Sequence, residues 1–199
     1  VDISDYVTFG KENRITVNLN TGVQPSSRWY TGSGLFRSVK LCHGPKIHIA
    51  DDGVYLFTKE ISEDDVVRAF LEGEVEICNP TLENHLVKVN ITLRKNGADE
   101  IAANYNQTIF VNARENQTAH IAFSVENPVL WDCDNPNLYT VKVSATDKGV
   151  YRTHFEESKN QSVDKSEKLF GIRTISVDAV RGLRINGKTT KLKGGCVHH

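Results

Sequence analysis

The chain has 199 residues, of which 39% are hydrophobic and 25% are charged, and its formal net charge is −1. This composition is ordinary for a globular protein, and a charge so close to zero gives no electrostatic signature of nucleic-acid or anionic-membrane binding. Because no apolar run approaches the roughly 20 residues that span a bilayer, we expect neither nucleic acid nor a membrane among the partners.

Polar and apolar residues alternate along most of the chain, and this period of two predicts β-strands. The predicted strands are, in chain order, residues 14–20, 35–42, 47–49, 54–61, 70–78, 85–93, 108–111, 119–125, 138–145, 151–155 and 170–177. Turn-forming pairs separate many of them, namely Asp52-Gly53, Asn79-Pro80, Asn96-Gly97, Asn127-Pro128, Asn135-Pro136 and Lys148-Gly149. Strands that recur about every 10 residues, with few helical windows, are typical of an antiparallel sandwich.

One segment, residues 62–69, could form a helical turn because Ser62 and Asp65 are spaced as in a capping arrangement, but a long loop fits it equally. The predicted fold class is therefore all-β. We expect an antiparallel immunoglobulin-like β-sandwich flanked by partial elements of neighbouring domains.

The block of residues 46–167 has the size of one seven-stranded sandwich, whereas residues 1–45 hold too few strands to bury a core alone. The polar stretch 160–167 is interpreted as an exposed loop or linker. Beyond it, residues 183–188 predict a hairpin with an Asn-Gly turn, and residues 190–196 predict a final strand that enters a different domain. The chain contains no Met and ends inside a patterned stretch, so we expect it to be a segment of a longer protein.

The cysteine spacing matches no zinc ribbon and no disulfide framework, which favours buried, reduced thiols and a cytoplasmic location. The four cysteines are Cys42, Cys78, Cys133 and Cys196. Four N-x-S/T sequons would carry glycans only in a eukaryotic secretory context. They begin at Asn90, Asn106, Asn116 and Asn160.

Three stretches carry the most distinctive residues of the chain. They are Pro25-Ser26-Ser27-Arg28-Trp29-Tyr30-Thr31-Gly32-Ser33-Gly34-Leu35-Phe36-Arg37, then Leu130-Trp131 with Asn135-Pro136-Asn137-Leu138-Tyr139, then Phe170-Gly171-Ile172-Arg173-Thr174-Ile175 with the hairpin and Gly194-Gly195-Cys196-Val197-His198-His199. In this order and at this spacing they resemble glycoside hydrolase family 2, β-galactosidases above all. The resemblance implies that residues 1–45 are the C-terminal part of a jelly-roll sugar-binding domain and that residues 46–167 are an immunoglobulin-like domain. It also implies that residues 168–199 are the final strand or linker and the first strand of a TIM-barrel catalytic domain.

The resemblance further implies a retaining parent enzyme that cleaves terminal β-D-galactosides and works with two glutamates on later barrel strands. Such enzymes hold the two carboxyl groups about 5–5.5 Å apart. Because the chain stops at the first barrel strand, we expect it to contain no catalytic residue and to be inactive alone. Its acidic runs, such as Glu63-Asp64-Asp65 and Glu156-Glu157, are interpreted as solvated surface. We expect no cofactor in this segment and a homo-oligomeric parent, whose metal requirement the sequence leaves open.

Four residues are candidate substrate contacts in the parent. Active sites of TIM barrels lie at the C-terminal ends of the strands, and the resemblance places a sugar-contacting His at His198. His199 falls where relatives carry Glu or His, and in the chain by itself both would be polar residues at a frayed end. Arg28 and Trp29 could bind hydroxyls and stack on a pyranose face, or equally could pair with a surface acid and pack between domains. Cys196, His198 and His199 share one strand, which does not make a tetrahedral site, so no metal is predicted.

Two alternatives stay open. A β-glucuronidase or β-mannosidase parent would have the same architecture, although the Arg-Trp-Tyr-x-Gly-Ser-Gly run and the double His favour a galactosidase. A stand-alone carbohydrate-binding or adhesive β-sandwich would also account for the strand pattern, provided that the chain were complete.

Overall fold

The computed structural model describes residues 1–20, 22, 34–63 and 65–197, and it divides the chain into two compact units. One unit comprises Val1–Leu41 and Lys193–His199, and the other comprises Cys42–Leu192. All eleven strands of the described residues lie in the second unit. They are β1 (His48–Ser62), β2 (Arg68–Asn79), β3 (Asn84–Lys95), β4 (Ile101–Val111), β5 (Glu115–Glu126), β6 (Tyr139–Tyr151), β7 (Phe155–Glu157), β8 (Val163–Phe170), β9 (Ile175–Asp178), β10 (Gly182–Ile185) and β11 (Lys188–Thr189). In the described part of the chain, no helix is long and apolar enough to cross a membrane.

The strands form two sheets of an antiparallel sandwich and one small sheet beyond it. The first sheet has the order β1-β2-β5. The second has the order β4-β3-β6, and β7 and β8 both pair with β6. The small sheet, which we call the hairpin sheet, has the order β11-β10-β9. This arrangement confirms the predicted immunoglobulin-like β-sandwich.

The core follows from strict alternation in the central strands. In β2 the residues Ala69, Leu71, Val75 and Ile77 are buried, and the residues between them point outward. In the second sheet β3 contributes a row from Val87 to Leu93, and β6 beside it contributes another from Tyr139 to Ala145. Burying one large aliphatic side chain contributes about 1.5–3 kcal/mol, so these rows supply most of the stability of the sandwich.

Tyr139 also fixes the entry of the chain into β6. Its side chain is buried at the start of the strand, and its hydroxyl accepts the backbone N–H of Val129 at 2.8 Å. A tyrosine hydroxyl that bonds to upstream backbone at this corner is a hallmark of immunoglobulin-like sandwiches.

Two predicted turns are bulges inside continuous strands. Asp52 has a φ of 54°, and the register of β1 against β2 shifts between Ile49 and Val54, so residues 47–61 do not divide into two strands. In β6 the pairing with β3 skips Lys148, and Gly149 has a φ of 140°. The irregularity takes up three extra residues in β1, where residues 50–53 lie opposite Glu76, and one extra residue in β6. Neither ends the ladder, which is why turn-forming residues at these positions were misleading.

The predicted polar loop at residues 160–167 is wrong, because β8 runs through most of it and pairs with β6 from Thr146 to Tyr139. β8 is an edge strand, where charged side chains are common because they oppose pairing with other chains. The predicted strand 170–177 is also interrupted, since β8 ends at Phe170 and β9 begins at Ile175.

Other predicted elements differ from the structure. Among the described residues, no strand occurs in 14–20, 35–42 or 190–196, and the connection between β1 and β2 is not helical. Ile15, Val17 and Leu19 are instead exposed. Alternation produces a strand only where a neighbouring strand completes its hydrogen bonds, and the described residues offer no such neighbour here.

The cysteine prediction was wrong for three of the four residues. Cys42, Cys133 and Cys196 are exposed, and Cys78 is half-buried on β2. Burial raises the pKa of the Cys78 thiol. By contrast, the predicted Asn-Gly hairpin is confirmed, because Asn186 and Gly187 have φ values of 49° and 74° between the paired residues Ile185 and Lys188.

Candidate functional site

The four predicted substrate contacts, Arg28, Trp29, His198 and His199, lie outside the residues that the structure describes. Their proposed roles therefore stay predictions. Within the described ranges, no three His, Cys, Asp or Glu side chains cluster in a way that could hold a metal ion.

The structure brings two glutamates together at one end of the second sheet. The guanidinium of Arg152 forms ion pairs with Glu83 and, at 3.3 Å, with Glu156, and all three side chains are exposed. The hydrogen bond to Glu83 raises the pKa of Arg152. A glycosidase acid needs a carboxyl group in an apolar environment that keeps it protonated, and these two carboxylates instead face a permanent cation and water. They are surface ion pairs rather than a catalytic pair.

A better defined cluster lies where the sandwich leads into the hairpin sheet. We call it the Trp131 joint, and it consists of Trp131, Gly171, Ile172, Arg173 and Asn186. The backbone N–H of Trp131 donates to the carbonyl of Ile172 at 2.9 Å, and the side-chain amide of Asn186 donates to the carbonyl of Trp131 at 3.0 Å. The loop before β6, the segment after β8 and the hairpin turn are thereby fixed to one another.

Side-chain packing reinforces the Trp131 joint. The guanidinium carbon of Arg173 lies 4.7 Å from the centre of the Trp131 ring, and its Nη1 donates to the carbonyl of Gly171 at 3.2 Å. A cation in this position over an indole contributes about 0.5–2 kcal/mol. The backbone N–H of Arg173 also donates to the Oγ1 of Thr58 at 3.2 Å, which ties the joint to β1.

Gly171 is required at the joint because there is no room for a side chain. A Cβ at this position would lie 2.8 Å from Cγ and 2.9 Å from Cβ of Trp131. Ile172 beside it is fully buried in the core. The joint therefore attaches the hairpin sheet directly to the core of the sandwich.

The loop that carries Trp131 is organised by Asp132. Its carboxylate accepts the backbone N–H groups of Asn135 at 2.6 Å and of Asp134 at 2.8 Å. These bonds, that from Asn135 first, hold the pKa of Asp132 below its ordinary value. Asn137 completes the loop by donating to the carbonyl of Leu130 at 3.0 Å.

The lowered pKa gives a testable pH dependence for this loop. A carboxyl group whose pKa is lower in the folded state stabilises that state above its unfolded pKa, and the contribution is lost as the pH falls through the folded pKa. We expect a carboxyl NMR titration to place the pKa of Asp132 below the ordinary value for aspartate. Asp132→Asn keeps an acceptor oxygen and should abolish this contribution to acid sensitivity. An ordinary or raised pKa would contradict the geometry.

Sequence reasoning singled out the residues of the joint as family-like but assigned them no contacts. The pairing of Arg173 with the Trp131 ring was not predicted from the sequence. The signal that was available is the Gly-x-Arg spacing at Gly171 and Arg173, which in extended backbone places the arginine on the same side of the chain as the glycine.

Residues 47–173 match the family model described as glycosyl hydrolases family 2. The whole chain is 30% identical to beta-galactosidase BoGH2A of Bacteroides ovatus and covers 22% of that protein. It is 28% identical over 99% of its length to a putative beta-glucuronidase of Formosa agariphila, of which it covers 17%.

The solved structures agree in fold. A family 2 glycosyl hydrolase from Bacteroides cellulosilyticus superposes with a TM-score of 0.65 at 25% identity, over 78% of this chain and 19% of that one. The chain thus spans about a fifth of the length of the proteins that it matches.

Proposed function

The chain belongs to family 2 of the glycosyl hydrolases, and from this membership we propose that it is a non-catalytic β-sandwich segment of a longer hydrolase. In this proposal the sandwich links a sugar-binding domain to a catalytic domain, and both catalytic glutamates lie in polypeptide beyond the chain. The observation that carries it is the family match over residues 47–173, which covers the sandwich and every residue of the Trp131 joint except Asn186.

An apolar face that is only partly covered supports the linking role, because Ile185 on it is buried and Leu183 is half-buried, whereas their neighbours are exposed. In the hairpin sheet, Ile175 pairs with Ile185 and Val177 pairs with Leu183, so these four side chains share one face. Ile175 and Val177 are 60% and 75% exposed. A sheet this small is stable only when one face is covered, and we propose that the catalytic domain of the longer protein covers it.

A substitution on this face should affect the 199-residue chain and the longer protein differently. Ile175→Lys should leave the melting temperature of the 199-residue chain unchanged, because the side chain is already mostly exposed, and should lower that of the longer protein. Val180→Lys is the matched control, since Val180 is 93% exposed in the turn of the same sheet. Equal melting temperatures for the two longer variants, measured by calorimetry, would contradict the docking of this face.

We propose terminal β-D-galactosides as the substrate of the longer protein, because the distinctive residues of the chain resemble β-galactosidases and one relative is a beta-galactosidase at 30% identity. A β-glucuronidase is the second candidate, favoured by the putative beta-glucuronidase at 28% identity. Hydrolysis of aryl β-galactoside, β-glucuronide and β-mannoside by the longer protein distinguishes them. Release from the glucuronide or the mannoside alone would overturn the galactosidase assignment.

A stand-alone carbohydrate-binding sandwich is the alternative from a different functional class. It predicts that the 199-residue chain itself binds galactose or lactose, which calorimetric titration measures directly. The linking role predicts no binding heat under the same conditions. Saturable binding would favour the alternative.

A further inference from the structure

The chain contains two Asn-Gly pairs, Asn96-Gly97 and Asn186-Gly187. In such a pair the backbone nitrogen of the glycine can attack the side-chain amide carbon of the asparagine, because glycine has no Cβ to hinder ring closure. A C–N bond forms, ammonia leaves, and the resulting succinimide is opened by water to aspartate or isoaspartate. No oxidant, reductant or enzyme is required, so the local structure decides whether the reaction occurs.

Asn186 is held away from this reaction by its neighbours in the Trp131 joint. Its side-chain oxygen accepts the backbone N–H of Thr174 at 3.0 Å, and its side-chain nitrogen donates to the carbonyl of Trp131 at 3.0 Å. Its own backbone N–H donates to the carbonyl of Thr174 at 3.0 Å. The side-chain amide cannot rotate towards the Gly187 nitrogen unless two hydrogen bonds open first.

Asn96 is in a different environment, at the exposed turn between β3 and β4. The turn is closed by a hydrogen bond from Ala98 N–H to the carbonyl of Lys95 at 3.0 Å. The backbone N–H of Asn96 donates to the carbonyl of Leu138 at 2.9 Å, as that of Asn186 does to Thr174, but the Asn96 side-chain oxygen accepts the hydroxyl of Thr140 at 3.5 Å, the outer limit of a hydrogen bond. A Cβ would meet no atom within 4 Å at either Gly97 or Gly187, so the two sites differ in the partners of the asparagine side chain and not in crowding at the glycine.

We propose that Asn96 is a site of spontaneous deamidation and that Asn186 is protected by the Trp131 joint. The product adds a negative charge at the end of the second sheet, and isoaspartate adds a methylene to the backbone of the turn. The chain would accumulate this acidic form with age, while the Asn186-Gly187 turn of the hairpin sheet stays unmodified.

Peptide mapping by mass spectrometry, after incubation of the folded chain at mildly alkaline pH, tests the proposal. Because two hydrogen bonds protect Asn186, its deamidation should be slower than that of Asn96 by about 30-fold. In denaturant the two sites should react at similar rates, since each precedes glycine. Asn96→Gln should remove the acidic product while leaving Asn186 unmodified. Equal rates in the folded chain, faster reaction at Asn186, or no product at Asn96 would each overturn the proposal.

Discussion

Replacement of Asn79 by alanine is expected to destabilise the sandwich by about 3 kcal/mol, because it removes a buried amide that bonds to four backbone groups, one of them, the carbonyl of Val111, itself buried. Asn79 is 1% exposed at the end of β2. Its side-chain nitrogen donates to the carbonyls of Glu83 at 2.8 Å, Asn112 at 2.9 Å and Val111 at 3.3 Å. Its side-chain oxygen accepts the N–H of Thr81 at 3.0 Å. This one amide closes the β2–β3 connection and fixes the turn between β4 and β5.

Denaturant unfolding of the variant and of a surface control measures this effect. Asn116→Ala removes an exposed amide on β5 that donates to Glu76 at 2.8 Å, and it should cost less than about 0.5 kcal/mol. Asn79→Asp should be as damaging as Asn79→Ala, since a carboxylate cannot donate to the three carbonyls. A cost for Asn79→Ala no larger than that of the control would show that the amide is not structural.

Gly171→Ala is expected to destabilise the protein by about 1–3 kcal/mol, because the added methyl group overlaps the Trp131 side chain. The overlap involves Cγ, Cβ and Cδ1 of Trp131 at 2.8–3.0 Å, and Gly171 is buried, so neither residue can move without disturbing the joint. We expect the arginine above the ring to lose its contact as well. Thermal unfolding measures the stability, and indole fluorescence reports the displacement.

A double-mutant cycle isolates the clash from other effects of the added methyl group. Trp131→Ala removes Cγ and Cδ1 and keeps only the Cβ atom of the overlap, so Gly171→Ala should cost less in that background than in the original chain. Gly44→Ala is the matched control, since its Cβ would meet only Asp164, at an ordinary contact distance of 3.5 Å. Additive costs of Gly171→Ala and Trp131→Ala would contradict the proposed packing.

Central strands were predictable from sequence because one face of each strand packs in the core and the other points outward. β2 and β3 alternate without interruption, and a one-residue slip would place every apolar side chain in water. The Asn186-Gly187 hairpin was predictable because few residue pairs adopt positive φ at both positions. These features depend on residues that are close together in the chain.

Features that depend on distant residues were not predictable. β8 is polar and looked like a loop, but its backbone completes the hydrogen bonds of β6, and its Asp164 accepts the N–H of Ile49 at 2.8 Å. The Trp131 joint joins Thr58 to Arg173 across 115 positions. No local pattern encodes such a pairing, and the resemblance named these residues without placing them.

The predicted contacts to sugar also depend on residues that are far apart in the chain. Arg28, Trp29, His198 and His199 were chosen by resemblance and lie outside the described residues, so their roles rest on the proposed function. The described residues form instead the structural features: a packed sandwich, the Trp131 joint and an apolar face on the hairpin sheet.

We propose that the catalytic acid and nucleophile come from polypeptide outside the 199 residues. Incubation of the purified chain with an aryl β-galactoside, beside the longer protein and a mock preparation from the same host, tests it most directly. We predict release of the aryl group by the longer protein and a rate for the chain equal to that of buffer. Sugar release by the chain above the mock preparation would contradict the account.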